Sequence, residues 1–338
     1  MHSALQTFYQ QANYARFHDQ RAGHYESYFL RANHPNRPLA FWIRYTIFSP
    51  RLMPEKALGE LWAIFFNGET RRQHVARQPH PLADCLFDTA AFRVQIGPAS
   101  LGPGFCRGAI NNQGQVLTWD LAFDGECVPL LLLPLNRYQG RLPPAKSVVS
   151  LPMACFSGSL SVNGETISVA NWVGSQNHNW GTRHTDSYAW GQVAGFDTHP
   201  QSFLEVATAR LRLGPLWTPA FTPLVLRHRQ REYALTGLLQ AVRAHSRPGD
   251  VSWEFRSGTV GLDLEGVITA DSDAFVSLDY HNPPGGTKRC RNCSIACCTL
   301  RLRDAATGTT EVLEARHRAA FEILEDSHQA LTQGTRKP

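Results

Sequence analysis

The sequence predicts an all-β protein made of antiparallel strands, with little helix. Three observations lead there. Apolar residues recur at every second position in many short runs. Those runs are separated by Gly, Pro, Asn and Asp turn signals such as "VNGET", "NNQGQ", "FDGE" and "RPGD". Segments with a 3.6-residue period are scarce. A chain of 338 residues also exceeds what a single core usually organises, so two β domains of barrel or sandwich type, packed together, are expected.

Taken in chain order, "LQTFYQQANYARFHDQ" is the one segment that predicts a helix of some length, and "MPEKALGE" predicts a short helical turn. In "QVLTWDLAFDG", Leu117, Trp119, Leu121 and Phe123 share one face while Thr118, Asp120 and Ala122 share the other. "GSLSVNGETISVANW" reads as a hairpin about Asn163-Gly164. A boundary near residue 170 gives domains 1–170 and 171–330, followed by a tail, 331–338. In "AFVSLDYHNPPGG", Val276, Leu278 and Tyr280 alternate with Ser277 and Asp279 and stop at a Pro-Pro-Gly-Gly turn. Near the end, Leu313, Ala315, His317, Ala319, Phe321 and Ile323 alternate with Glu314, Arg316, Arg318 and Glu322. That composition favours helix, but the period is two, and the period decides for a strand.

Composition removes several function classes. The chain is 43% hydrophobic and 18% charged, which suits a globular fold. Its net charge of +5 comes from scattered basic residues, so no stripe tracks a phosphate backbone and nucleic acid is not expected as a partner. The opening residues lack a basic segment followed by an apolar core, and the longest apolar run, "CVPLLLLPLNRY", is too short to span a bilayer. The expectation is a cytoplasmic protein for which a membrane serves at most as a source of substrate.

The eight cysteines include the cluster "CRNCSIACC", whose C-x-x-C invites zinc. No second ligand pair completes a tetrahedron, and Cys297 and Cys298 lie in an alternating run, so buried thiols are expected of Cys290, Cys293, Cys297 and Cys298. His178 and His184 are six apart across a glycine, a poor metal spacing. The sequence contains no G-x-S-x-G, G-x-G-x-x-G followed by a helix, P-loop or H-E-x-x-H. Neither a metal nor a cofactor is expected.

Residues 174–191, "GSQNHNWGTRHTDSYAWG", carry the densest chemistry. If extended, Gln176, His178 and Trp180 share one face, with Asn177 and Asn179 on the other. Further on, Tyr188, Trp190 and Gln192 form a row, and Gly191 and Gly195 leave the opposite face bare for a ligand or another sheet to approach. Trp180, Tyr188 and Trp190 can wall a pocket for a flat or polyene hydrocarbon and stabilise a developing carbocation. His178 and Asp186 at its edge can move protons, and Asn177 or Asn179 can orient a polar head. The same residues also serve as ordinary β-core and turn residues. "GHYESYFLRANHP" adds His24, Glu26 and Arg31 beside aromatics, a second candidate polar group or an ion pair.

The block His178-Asn179-Trp180-Gly181, followed about ten residues later by Trp190-Gly191, resembles the hallmark of the lipocalin-like superfamily of carotenoid 1,2-hydratase (hydroxyneurosporene synthase) and the AttH-type proteins, and more remotely tocopherol cyclase. "GHYESYFLRANHPNRPLAFWIRYTIF" is similar to the opening of those proteins, and "NPPGGTKRCRNCSIACCTLRL" to their C-terminal half. The resemblance implies two lipocalin-like domains with a pocket near their junction. It also implies a hydrophobic, isoprenoid- or polyene-like substrate undergoing hydration, cyclisation or rearrangement without a cofactor. A non-catalytic lipid or pigment carrier is the alternative. In the hydratase pattern an aspartate precedes His-Asn-Trp-Gly; here Asn177 stands there, and asparagine cannot protonate an alkene. The remaining acids for that role are Asp186, Asp197, Glu26 and Glu205.

Overall fold

The computed structural model describes residues 2–18, 21–125 and 128–325; Cys127 and the expected tail at 331–338 lie outside them. It divides into two compact units. The first comprises Met1–Leu131, Leu135–Arg183 and Pro283–Gly285, and the second Leu132–Pro134, His184–Asn282 and Gly286–Pro338. Position 170, the boundary expected from sequence, falls within a continuous strand, Glu165–Gly181.

The first unit begins with helix α1 (His2–Gln10) and the strands β1 (His24–Asn33), β2 (Leu39–Ser49), β3 (Leu58–Asn67) and β4 (Arg72–Pro81). Short strands follow: β5 (Cys85–Phe87), β6 (Val94–Ile96), β7 (Ala99–Gly102) and β8 (Phe105–Asn112). Then come β9 (Gln115–Asp124), β10 (Leu130–Leu131), helix α2 (Leu135–Gln139), β11 (Ala145–Val162) and β12 (Glu165–Gly181). All pair in one antiparallel sheet of order β4-β3-β2-β1-β12-β11-β9-β8-β7-β6-β5, with β10 beside β11. The sheet curls until β4 meets β8, where Asn112 Nδ2 donates to the Arg77 carbonyl at 2.6 Å. Tyr28, Phe41, Tyr45, Trp119, Phe156 and Trp172 fill the interior.

The second unit contains β13 (Ser187–Ala194), β14 (Phe203–Arg210), β15 (Arg212–Leu213), β16 (Leu216–Trp217), β17 (Leu224–His228) and β18 (Arg231–Leu235). After helix α3 (Leu238–Arg243) come β19 (His245–Pro248), β20 (Ser252–Thr259), β21 (Leu262–Thr269), β22 (Val276–His281), β23 (Thr287–Asp304) and β24 (Thr309–Glu325). The main sheet runs β18-β17-β14-β13-β24-β23-β21-β20-β19, with β22 on β23, and β15 and β16 form a small ribbon. Both units are therefore all-β and antiparallel, as the alternation requires.

Local rules explain the strands. β9 buries Leu117, Trp119, Leu121 and Phe123, exposes Asp120 and Ala122 and leaves Thr118 half-buried, a strand with one wet face. The β11–β12 hairpin turns at Asn163 and Gly164, with φ of 51° and 91°, the left-handed pair that Asn-Gly supplies for a two-residue turn. β24 is a strand despite its charged composition, and buries Leu313, Ala315, Ala319, Phe321 and Ile323. His317 departs from the row: at φ 55° in a bulge opposite β23, it is exposed rather than inward. Cys290, Cys293 and Cys298 are buried, as expected, and Cys297 is half-buried.

The helix expected over residues 5–20 stops at Gln10. Beyond it the backbone polar groups go to the sheet: the Ala12 carbonyl accepts from His178, and the Arg16 N–H donates to Glu26. Asn13 exchanges a reciprocal amide pair with Gln176 at 2.9 and 3.0 Å. Tertiary hydrogen bonds replace the helical ones. Of the second expected turn, Pro54–Lys56 forms a 3-10 helix.

Candidate functional site

The antiparallel register of β1 and β12 sets Glu26 opposite Trp180 and Tyr28 opposite His178. Because side chains alternate along a strand, His24, Glu26 and Tyr28 project to one face with His178 and Trp180. Tyr28 belongs to the apolar interior of the curled sheet, so this face is inward and a carboxylate lies inside it. Glu26 and His178 are each fully buried, at 0% exposure.

Burial of a carboxylate is costly unless its lone pairs are met. Here they are. The Arg16 N–H donates to both oxygens at 2.8 and 3.0 Å, and the Tyr28 hydroxyl to Oε1 at 3.0 Å. His178 Nε2 lies 2.7 Å from Oε1 and His24 Nε2 2.9 Å from Oε2. Burial by itself raises the Glu26 pKa, but the hydrogen bonds and charge of His178 and His24 outweigh it and bring it from 4.5 to about 2. The Tyr28 hydroxyl moves the other way: burial, then the Glu26 charge, hold it well above 10.0.

The second nitrogen of His178 fixes its protonation. Nδ1 is 2.6 Å from the Ala12 carbonyl, which only accepts, so Nδ1 carries a proton. Nε2 faces an ionised carboxylate and carries one too. His178 is thus an imidazolium stacked on Tyr28, with ring centroids 4.2 Å apart and planes within 9°.

A cavity of about 370 Å³ lies against the same cluster, lined by Phe8, Gln11, Arg16, Tyr138 and Trp180 among others. Its volume is in the range of small-molecule sites. Trp180 both lines it and lies 4.8 Å from His178, and the Arg16 guanidinium sits 5.5 Å over the Trp180 ring. An aromatic wall with a buried acid one ring behind it is an arrangement able to hold an apolar molecule and to supply a proton.

The other sequence-predicted residues fall elsewhere. Asn177, buried at 1% exposure, projects to the face opposite His178 and donates to Ser175 Oγ at 2.8 Å. Asn179 shares that face, and its Oδ1 is buried without a hydrogen bond. Arg31 is on that side as well and donates to Asn33, so it forms no group with His24 and Glu26.

Asp186, Tyr188, Trp190 and Gln192 belong to the second unit. Asp186 accepts from the Arg212 N–H at 2.9 Å and from Lys288 at 3.4 Å. Tyr188 donates to Glu322 at 3.0 Å, while Trp190 Nε1 and Gln192 Nε2 donate to the two oxygens of Glu205 at 2.7 and 2.8 Å. Gly191 faces the opposite way: a Cβ there would collide with Ile268 Cδ1 and crowd Trp253, so its bareness serves packing within this unit.

Sequence reasoning paired neither Glu26 with His178 nor either with residues 12–16. The period-two row His24, Glu26, Tyr28 was the signal within reach; the Ala12 carbonyl and Arg16 N–H, being backbone, give none.

No protein-family model matches the chain. An uncharacterized protein of Mycobacterium tuberculosis is 26% identical over 283 residues, covering 80% of this chain and 79% of the relative. Among solved structures, an AttH-like protein from Nitrosomonas europaea is similar with a TM-score of 0.60 at 14% identity, covering 94% of this chain and 95% of its own. Kievitone hydratase from Nectria haematococca gives 0.57 at 12%, over 90% and 89%. CghA gives 0.54 at 10%, over 90% and 88%. These likenesses show a shared fold, the lipocalin-like β architecture. Among the described residues no helix is long and apolar enough to cross a membrane.

Proposed function

We propose that this chain is an enzyme of lyase or isomerase type, which binds a hydrophobic, isoprenoid- or polyene-like molecule and promotes its hydration, cyclisation or rearrangement. The observation that carries the reading is the buried His178 imidazolium, held by Glu26 on one nitrogen and capped by the Ala12 carbonyl on the other, behind the Trp180 wall. The resemblance of His178-Asn179-Trp180-Gly181 to the hydratases, and a solved hydratase among the similar folds, support it.

In this mechanism substrate enters against Phe8, Tyr138 and Trp180, and the strap at Ala12–Arg16 withdraws from His178. The Nδ1–H proton passes to an alkene carbon, and the carbocation formed lies against aromatic faces. Glu26 keeps the imidazole oriented through Nε2–H. The neutral Nδ1 then takes a proton back, from an attacking water in hydration or from a neighbouring carbon in rearrangement. His178 thereby takes the place of an acid at 177, a position whose side chain points to the other face of the strand.

A carrier is the second reading, favoured by one observation: both His178 nitrogens are engaged, so neither faces the cavity. Incubation with a panel of isoprenoid alkenes in D2O separates the two. The enzyme reading expects deuterium in substrate or product, and His178→Ala to lower the rate about 100-fold or more. Retention of every ligand unchanged, with His178→Ala binding equally well, overturns it in favour of the carrier.

A further inference from the structure

A cluster in the second unit makes no part of that chemistry. His199 lies between β13 and β14, His228 at the end of β17, and Glu311 near the start of β24. One potential ligand atom of each converges: the three lie within 4.8 Å of one another. Glu311 Oε2 is 3.1 Å from His199 Nε2 and 3.3 Å from His228 Nε2. We propose that these three side chains form a binding site for a zinc-class divalent metal ion.

Geometry argues first. Ligands 2.0–2.2 Å from a tetrahedral zinc are separated from each other by about 3.3 Å, close to two of the edges found here. Directionality argues second. His228 Nε2 and Glu311 Oε2 are both buried, and their ion-pair contacts, including that of the Arg229 guanidinium with Oε2, lack the directional geometry of hydrogen bonds. A buried imidazole nitrogen without a hydrogen bond, in a side chain 1% exposed, is costly and is the lone pair a cation would use.

The site is also built around its ligands. Ser202 Oγ is 2.7 Å from His228 Nδ1, a contact that anchors the far side of the ring and orients Nε2 towards Glu311. The loop bearing His199 is fixed to β24: the Asp197 N–H donates to the Glu314 carbonyl at 2.7 Å, and the Glu314 N–H to Thr198 Oγ1 at 3.0 Å. Asp197 Oδ2 accepts from the Arg316 N–H at 2.7 Å.

The Arg229 guanidinium, 2.8 Å from Glu311 Oε2, is the cation at the carboxylate in this structure. Its side chain is 67% exposed and sits on the hairpin turn Arg229–Gln230, so it can swing into solvent when a metal binds. Three protein ligands leave a fourth position for water.

The test uses untagged full-length protein stripped with chelator and titrated with Co2+ and Zn2+. One ion per chain is expected, with visible Co2+ bands of tetrahedral intensity that Zn2+ displaces. His228→Ala and Glu311→Gln abolish the bands, Ser202→Ala weakens binding about 10–100-fold, and Arg229→Ala tightens it. His199→Ala, at a half-buried position, serves if His228→Ala fails to fold. Absence of saturable binding by the wild type overturns the proposal, as does equal binding by the folded ligand variants.

Discussion

Each unit encloses a histidine–glutamate cluster, and the two are finished differently. In the first, the carboxylate of Glu26 accepts from two imidazoles, a phenol and a main-chain amide, and His178 has both nitrogens engaged. In the second, Glu311 Oε2 is shared among His199, His228 and the solvated Arg229 at ion-pair distances, without directional hydrogen bonds to Oε2 or to His228 Nε2. The difference teaches how to read buried polar groups. A network of directional hydrogen bonds specifies one arrangement, whereas ligand atoms that converge without such bonds and share one exchangeable surface cation leave room for another.

The largest expected effect breaks the satisfied cluster. Glu26→Ala leaves the His178 imidazolium buried without its counter-ion and is expected to cost about 3–5 kcal/mol. Glu311→Ala, whose partner Arg229 is solvated, is expected to cost about 1 kcal/mol or less. Urea unfolding followed by tryptophan fluorescence measures both; equal losses would erase the contrast.

A smaller effect sharpens the contrast through pH. The Glu26 carboxylate titrates at about 2 in the fold against an ordinary 4.5. A depressed acid contributes stability that is present above its unfolded value and is lost as pH falls. Wild-type stability is therefore expected to fall between pH 4.5 and 2 more steeply than that of Glu26→Gln. Parallel acid profiles would show that the network holds no charge. A last effect, between those of Glu26→Ala and Glu311→Ala, concerns the strap: Asn13→Ala, which removes one partner of the Gln176 amide, is expected to cost about 1–2 kcal/mol. It should also speed hydrogen exchange at the Arg16 amide, which a purely local change at residue 13 would leave protected.

Much of the fold was legible because it follows from alternation. β9, β22 and most of β24 bury the residues that a period of two assigns, and Asn163-Gly164 turns where its left-handed preference requires. His317 escapes the pattern because a bulge turns that one residue out, and Ala319, Phe321 and Ile323 resume the inward row after it. The face shared by Gln176, His178 and Trp180 was likewise readable, as was its separation from Asn177. The helix beyond Gln10 was misread because local propensity knows nothing of the hydrogen bonds that residues 12–16 find in β1 and β12.

The sequence by itself determined that the chain makes antiparallel β-sheet, where many strands turn, and which side chains share a face, since those are properties of neighbours along the backbone. Only the tertiary structure decided that Glu26 meets His178, that the Ala12 carbonyl caps it, and that His199, His228 and Glu311 converge. Such contacts depend on which distant strands pair and in what register. A shift of one residue turns every side chain to the other face, and no local pattern records that choice.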